Sequence, residues 1–289
     1  MDRTTACRRV LIPLCLLLGL TAVGNTQSGK RGPQDPQGVT VVPTLPIASP
    51  PQRRVALVIG NAAYQYTAPL KNPVNDAQDM ARVLTDMQFE VMLTTNASLA
   101  SMREAVFAFG ERLKGGGGGV LYYSGHGMQV KGENYLIPMD ADVIREDDIK
   151  YKTLNARDVL ETMDEAKSHL NLVFLDACRN NPFPRSLRTV SRGLASMSAP
   201  TGTLLVFATN PDNVASDGTD RNGTYTKHLL HYITQPGLEV GMLLRRVRTA
   251  VREETGGQQV PWETGSIEVL YFAHGKRACL LPSGGAQPR

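Results

Sequence analysis

Strands alternating with helices predict an α/β protein with a mostly parallel, six-stranded sheet and helices on both faces. Two observations carry this. Continuous apolar runs such as "VALVIG" suit strands buried on both faces. Between them, apolar residues recur at helical spacing, as Ala77, Met80, Ala81, Leu84 and Met87 do. The composition, 42% hydrophobic, 20% charged and 6% aromatic, is ordinary for a soluble protein and excludes collagen-like, coiled-coil and multi-span membrane classes.

Taken in order, residues 55–60 are the first strand and residues 75–87 the first helix, with Asn75 as its N-cap. Residues 89–95 form the second strand. Residues 98–114 form the second helix, capped by Ser98. The third strand, residues 119–125, leads into a small hairpin over 128–140 that turns at Lys131 and Gly132. A helix over 154–166 precedes the fourth strand, 170–177. The fifth strand is 203–209, helices cover 225–233 and 240–254, and residues 267–272 are the sixth strand. Trp262 is expected to pack the loop before that last strand; the alternative is that it lines the substrate cleft. The glycine run 115–119 is a helix-to-strand connection and not a phosphate loop, because no Gly-Lys-Ser/Thr follows it and it opens no helix.

The head of the chain is different. Arg3, Arg8 and Arg9 precede an apolar run over 10–23 that is too short for a bilayer span and contains Pro13. Residues 1–24 therefore read as a secretory signal, with a secreted or periplasmic location; the alternative is an uncleaved amino-terminal anchor. Removing them takes the net charge from +4 to +2 and leaves Cys178 and Cys279 of four cysteines. Neither charge argues for a nucleic-acid partner. No stable membrane insertion is expected after cleavage. Residues 25–52 hold six prolines and form a disordered tether. The folded, catalytic domain spans 53–278, and 279–289 form a flexible tail.

Two residues sit at strand ends, where open α/β sheets bind ligands. His126 lies just past the third strand in "YYSGHG", and Cys178 just past the fourth in "VFLDACRNNP". If these strands are neighbours, imidazole and thiol meet: a nucleophile beside its general base. Glycines flanking His126 would let the backbone turn sharply. The amides of Gly127 and Cys178 would then hold a developing oxyanion.

"YYSGHG" and "VFLDACRNNP", with "VALVIGNAAY", "NPVNDAQDM" and the later "NGTYTKHLL", resemble the caspase-like cysteine peptidases (clan CD, peptidase C14), and bacterial metacaspase-like members (orthocaspases) more than animal caspases. The resemblance covers residues 54–272. It implies a caspase-like αβα sandwich and a Cys–His dyad, with His126 as base and Cys178 as nucleophile. The animal pattern Gln-Ala-Cys-x-Gly is not matched, since Asp176 replaces the Gln and Asn180 the Gly. In metacaspases the residues matching Asp76, Ser124 and Asp176 line a pocket for Arg or Lys, which implies peptide or protein substrates with basic residues. Two carboxylates in a partly dry pocket favour a cation and repel Asp. Each Asp also has a plainer reading: Asp76 as a solvated first-turn acid or second helix cap, Asp176 as a backbone hydrogen-bond acceptor.

The resemblance also suggests self-cleavage after Arg185, Arg188 or Arg192; the alternative is a mobile basic loop. Calcium-dependent relatives carry acids near Asp140, Asp142, Asp147 and Asp148 and one more after the Cys block. Here no acid follows Cys178 until Asp212, so a solvated acidic loop is expected and no cofactor is assigned, calcium being the alternative. Cys279 either pairs with Cys178 or is a simple tail residue. Two readings compete with a peptidase: a catalytically weak caspase-like binding or regulatory module, and a nucleotide-binding domain. The latter is disfavoured because no Gly-x-Gly-x-x-Gly follows the first strand.

Overall fold

The computed structural model describes residues 53–178, 182–183, 194–210, 218, 220–267 and 272. The signal segment, the Pro-rich tether, Arg185, Arg188, Arg192, Asp212, Cys279 and the tail lie outside the described residues, as does most of the expected strand over 267–272.

The strands are β1 (Arg54–Gly60), β2 (Glu90–Thr95), β3 (Gly118–Val130), β4 (Glu133–Leu136), β5 (Leu154–Asn155), β6 (Leu170–Cys178), β7 (Thr203–Phe207) and β8 (Trp262–Gly265). The helices are α1 (Pro73–Asp86), α2 (Leu99–Leu113), α3 (Ile149–Lys152), α4 (Ala156–Glu165), α5 (Thr224–Ile233) and α6 (Val240–Glu254). The main path of the sheet runs β2-β1-β3-β6-β7-β8, parallel except for β8, which is antiparallel to β7. β4 pairs antiparallel with β3 and β5 with β4, giving eight strands among the described residues. The α/β sandwich with a mostly parallel sheet is as expected. The last described strand differs: it is β8, ahead of the expected 267–272.

Residue parity sorts the core. Ala56, Val58, Val120, Tyr122, Leu172, Phe174, Leu204 and Val206 pack with α1, α5 and α6 on one face. Val55, Leu57, Ile59, Leu121, Tyr123, Val173, Leu175, Leu205 and Phe207 pack with α2 and α4 on the other. This is the period-two alternation of strands buried on both faces.

Several local expectations hold. Ser98 caps α2 by accepting from Ser101 N–H at 3.2 Å. Lys131 and Gly132, at φ 52° and 83°, make the two-residue turn between β3 and β4. Gly115, Gly116 and Gly117 lead from α2 into β3, which already includes Gly118 and Gly119.

Three expectations are corrected. Asn72, not Asn75, precedes the first helical residue of α1, because Pro73 takes the first position, where its fixed φ and missing N–H cost nothing. Asn75 instead donates through Nδ2 to the Arg221 carbonyl at 3.1 Å. Trp262 does not pack a loop. It starts the outermost strand β8 and is 43% exposed, as the end of a sheet allows. Finally, neither His126 nor Cys178 lies past a strand end, Cys178 being the last residue of β6. β3 is extended through Val130 because β4 takes over as its partner where β1 ends. Among the described residues no helix is long and apolar enough to cross a membrane.

Candidate active site

The order β2-β1-β3 reverses direction at β1/β3, the kind of switch point where parallel sheets open a crevice beyond their carboxyl ends. β3 and β6 are neighbours, and their register pairs Ser124 with Asp176, Gly125 with Ala177 and His126 with Cys178. His126 and Cys178, 52 positions apart in sequence, thus come to adjacent positions on two parallel strands.

His126 is buried and held from three directions. Its ring lies against Tyr64, with centroids 4.5 Å apart. Its backbone N–H donates to the Tyr64 hydroxyl at 2.7 Å, and its carbonyl accepts from the Tyr123 hydroxyl at 2.6 Å. Its Nε2 lies 2.8 Å from the Ala68 carbonyl. A carbonyl only accepts, so Nε2 carries the hydrogen, and Nδ1 is the basic nitrogen of the neutral ring. Gly125 has a steric purpose here: a Cβ would meet the hydroxyls of Tyr64 and Tyr123 at 2.6 and 2.7 Å. The expected sharp turn at the flanking glycines is replaced by extended chain with close tyrosine contacts.

Gly127 pairs with Leu136 of β4, while the Ile137 N–H donates to the His126 carbonyl at 3.1 Å. That pattern makes Gly127 a non-hydrogen-bonded position of the antiparallel pair, so its own N–H turns away from β4.

Asp76, Ser124 and Asp176 form a buried polar group on the α1/α5 side of the sheet. Ser124 Oγ donates to Asp76 Oδ2 at 3.2 Å. Asn222 Nδ2 and the Gly223 N–H donate to Asp76 Oδ1 at 3.1 and 3.0 Å. At 2% exposure, Asp76 is not the solvated first-turn acid of its plainer reading. Asp176 accepts from Thr226 Oγ1 at 2.6 Å. That bond uses the only hydrogen of Thr226, so the Tyr122 hydroxyl, 2.5 Å away, donates to Thr226. Burial, with the charges of Asp76 and Asp176, pushes the Tyr122 hydroxyl well above its usual range. Tyr122 stays a neutral donor.

The acids considered for calcium have separate uses. Asp140 accepts from the Leu99 N–H at the start of α2, at 2.9 Å. Asp148 accepts from the N–H groups of Ile144 and Arg145. The Asp142 carbonyl accepts from Lys152 Nζ, and Asp147 is exposed. Among the described residues, no three or more His, Cys, Asp or Glu side chains are arranged to hold a metal ion.

Sequence reasoning found His126, Cys178, Ser124 and the two aspartates but assigned no role to Tyr64, the Ala68 carbonyl, Asn222, Gly223 or Thr226. Tyr64 closes "VALVIGNAAY", and Asn222, Gly223 and Thr226 lie in "NGTYTKHLL"; the Ala68 carbonyl has no sequence signal.

The caspase-domain model of the peptidase C14 family matches residues 53–271, most of the chain. A stretch of 129 residues is 34% identical to mucosa-associated lymphoid tissue lymphoma translocation protein 1 of Homo sapiens, and 33% identical to its Mus musculus homologue. Each match covers 44% of this chain but only 15% of the relative, so the likeness extends to a small part of those proteins. With the family match spanning both the His126 and Cys178 strands, the chain belongs to the caspase-domain family of peptidases, peptidase C14.

Proposed function

We propose that the protein is a cysteine-type endopeptidase that cleaves peptide bonds after Arg or Lys, with Cys178 as nucleophile and His126 as its base. The register of His126 against Cys178 carries this reading, supported by the Ala68 carbonyl on His126 Nε2. In this scheme Nδ1 takes the thiol proton and the thiolate attacks the substrate carbonyl. The oxyanion is met by the N–H groups of Gly127 and Cys178. Protonated His126 then gives its proton to the leaving amine, and water hydrolyses the acyl-enzyme.

Asp76, Ser124 and Asp176 are assigned to the pocket for the basic side chain. Their support is burial together with convergence on one side of the sheet. Two carboxylates there attract a cation and oppose an acidic residue. For residues 1–24 we propose export, supported by the basic head and short apolar run. Sequencing of the mature amino terminus is expected to start at Asn25; an intact Met1 contradicts it.

A pair of fluorogenic peptides tests the main reading. The Arg-ending peptide is expected to turn over about 100-fold faster than the Asp-ending one, an increment of roughly 3 kcal/mol. A faster Asp peptide contradicts the pocket. Undiminished turnover in Cys178→Ala contradicts the dyad, and wild-type protein inert toward both peptides favours a binding module.

A further inference from the structure

The two carboxylates assigned to the pocket come from different elements, Asp76 from α1 and Asp176 from β6, yet one short segment reaches both. Asn222 Nδ2 and Gly223 N–H donate to Asp76, and Thr226 Oγ1 donates to Asp176. The segment is itself anchored on α1. Arg221 donates to Asp79 twice, Nε to Oδ2 at 2.9 Å and Nη2 to Oδ1 at 3.2 Å. Asn222 Nδ2 also lies 3.0 Å from Asp79 Oδ2, so its two amide hydrogens bridge Asp76 and Asp79.

This division of labour has a physical consequence. The fixed guanidinium of Arg221 sits on Asp79, whereas Asn222, Gly223, Ser124 and Thr226 reach the pocket carboxylates as neutral donors. Neutral donors that hydrogen-bond a carboxylate fix its position and favour its ionised form. Gly223 is also the N-cap of α5, so Asp76 sits where a helix end favours an anion. The Tyr122 hydroxyl continues the chain on the Asp176 side by donating to Thr226.

We propose that residues 221–226 act as one clasp on the specificity pocket, with Asn222 and Thr226 as positioning residues that hold Asp76 and Asp176 in place for a cationic side chain. The proposal rests on reading Asp76 and Asp176 as the basic-residue pocket.

The test compares two peptides differing only in the residue before the cleaved bond, Arg or its neutral isostere citrulline. Their kcat/KM ratio reads charge recognition and cancels general effects on the catalytic centre. In Thr226→Val, which keeps the shape and removes the hydroxyl, the ratio is expected to fall about tenfold, through a raised KM for the Arg peptide. Asn222→Ala is expected to do the same, and Thr226→Ser to restore the ratio. Asn222 is only half-buried, so its variant carries the prediction should Thr226→Val fail to fold. An unchanged ratio, or a parallel fall with both peptides, overturns the clasp. Wild-type protein that cleaves but does not prefer Arg over citrulline overturns the basic pocket, and the clasp with it. Wild-type preference that survives both substitutions overturns the clasp alone.

Discussion

On the face that packs α1, α5 and α6, the even positions of β3 and β6 run from apolar to polar. Tyr122 and Phe174 are buried in the core, and Ser124 and Asp176 follow, each pair in register across the two strands. On the face that packs α2 and α4, the odd positions stay apolar: Tyr123, Val173, Leu175 and Ala177. The same two strands therefore carry apolar packing on one parity and a buried polar group on the other. A buried Ser or Asp costs stability unless its partners are built in. The polar parity accordingly recruits donors from a distant segment, while the other parity packs apolar side chains and sends one hydroxyl, that of Tyr123, to the His126 carbonyl.

Substitutions on the two parities are expected to separate. Cys178→Ala is expected to remove turnover of the Arg peptide by at least about 1,000-fold, roughly 4 kcal/mol of barrier. Equal loss from a substitution on the apolar face would break the comparison. Phe109→Ala, in the middle of α2 and fully buried, is expected to lower unfolding stability by about 3–5 kcal/mol in urea titration. The surviving folded enzyme is expected to keep its ratio of Arg to Asp turnover.

A smaller effect concerns Asp79. Burial pushes its carboxyl up, but hydrogen bonds from Arg221 and Asn222 and the charges of Arg221 and Arg82 outweigh burial and bring it below 3.8. A depressed folded-state pKa stabilises the fold above 3.8, and that stabilisation is lost as pH falls through the lower folded value. Wild type is thus expected to be more stable than Asp79→Asn at neutral pH, with the gap closing below 3.8. Urea midpoints measured across that range check it, and a gap independent of pH contradicts it. The smallest effect is expected from Ser98→Ala, a loss of about 1 kcal/mol through the missing cap, with no change in peptide preference.

Much of the scaffold was legible locally. Apolar runs named β1, β3, β6 and β7, the sequence pattern named every helix except the one-turn α3, and Lys131–Gly132 named the hairpin turn, because each depends on short-range periodicity or turn chemistry. His126 and Cys178 were legible as motifs, and their adjacency followed once β3 and β6 were neighbours. The start of α1 was misread because two asparagines competed as caps and the Pro after Asn72 went unweighed. Continuation of β3 through His126 depends on pairing with β6, and from Gly127 onward on β4 replacing β1, both tertiary events. The contacts of Asn222 with Asp76, 146 residues apart, and of Thr226 with Asp176, 50 apart, have no local signature either. The acids near Asp140 looked like one cluster only because they are close in sequence; folding gives Asp140 to α2 and Asp148 to the backbone of Ile144 and Arg145.

The central assignment, a thiol at Cys178 activated by His126 and addressed through a basic-residue pocket, is tested most directly by covalent labelling. An Arg-ending peptide carrying a thiol-reactive ketone is incubated with the mature protein, and the adduct is mapped by mass spectrometry. The expected result is one adduct, on Cys178, formed at least about 100-fold more slowly in His126→Ala. No adduct, an adduct confined to Cys279, or labelling of Cys178 at the same rate without His126 would contradict the assignment.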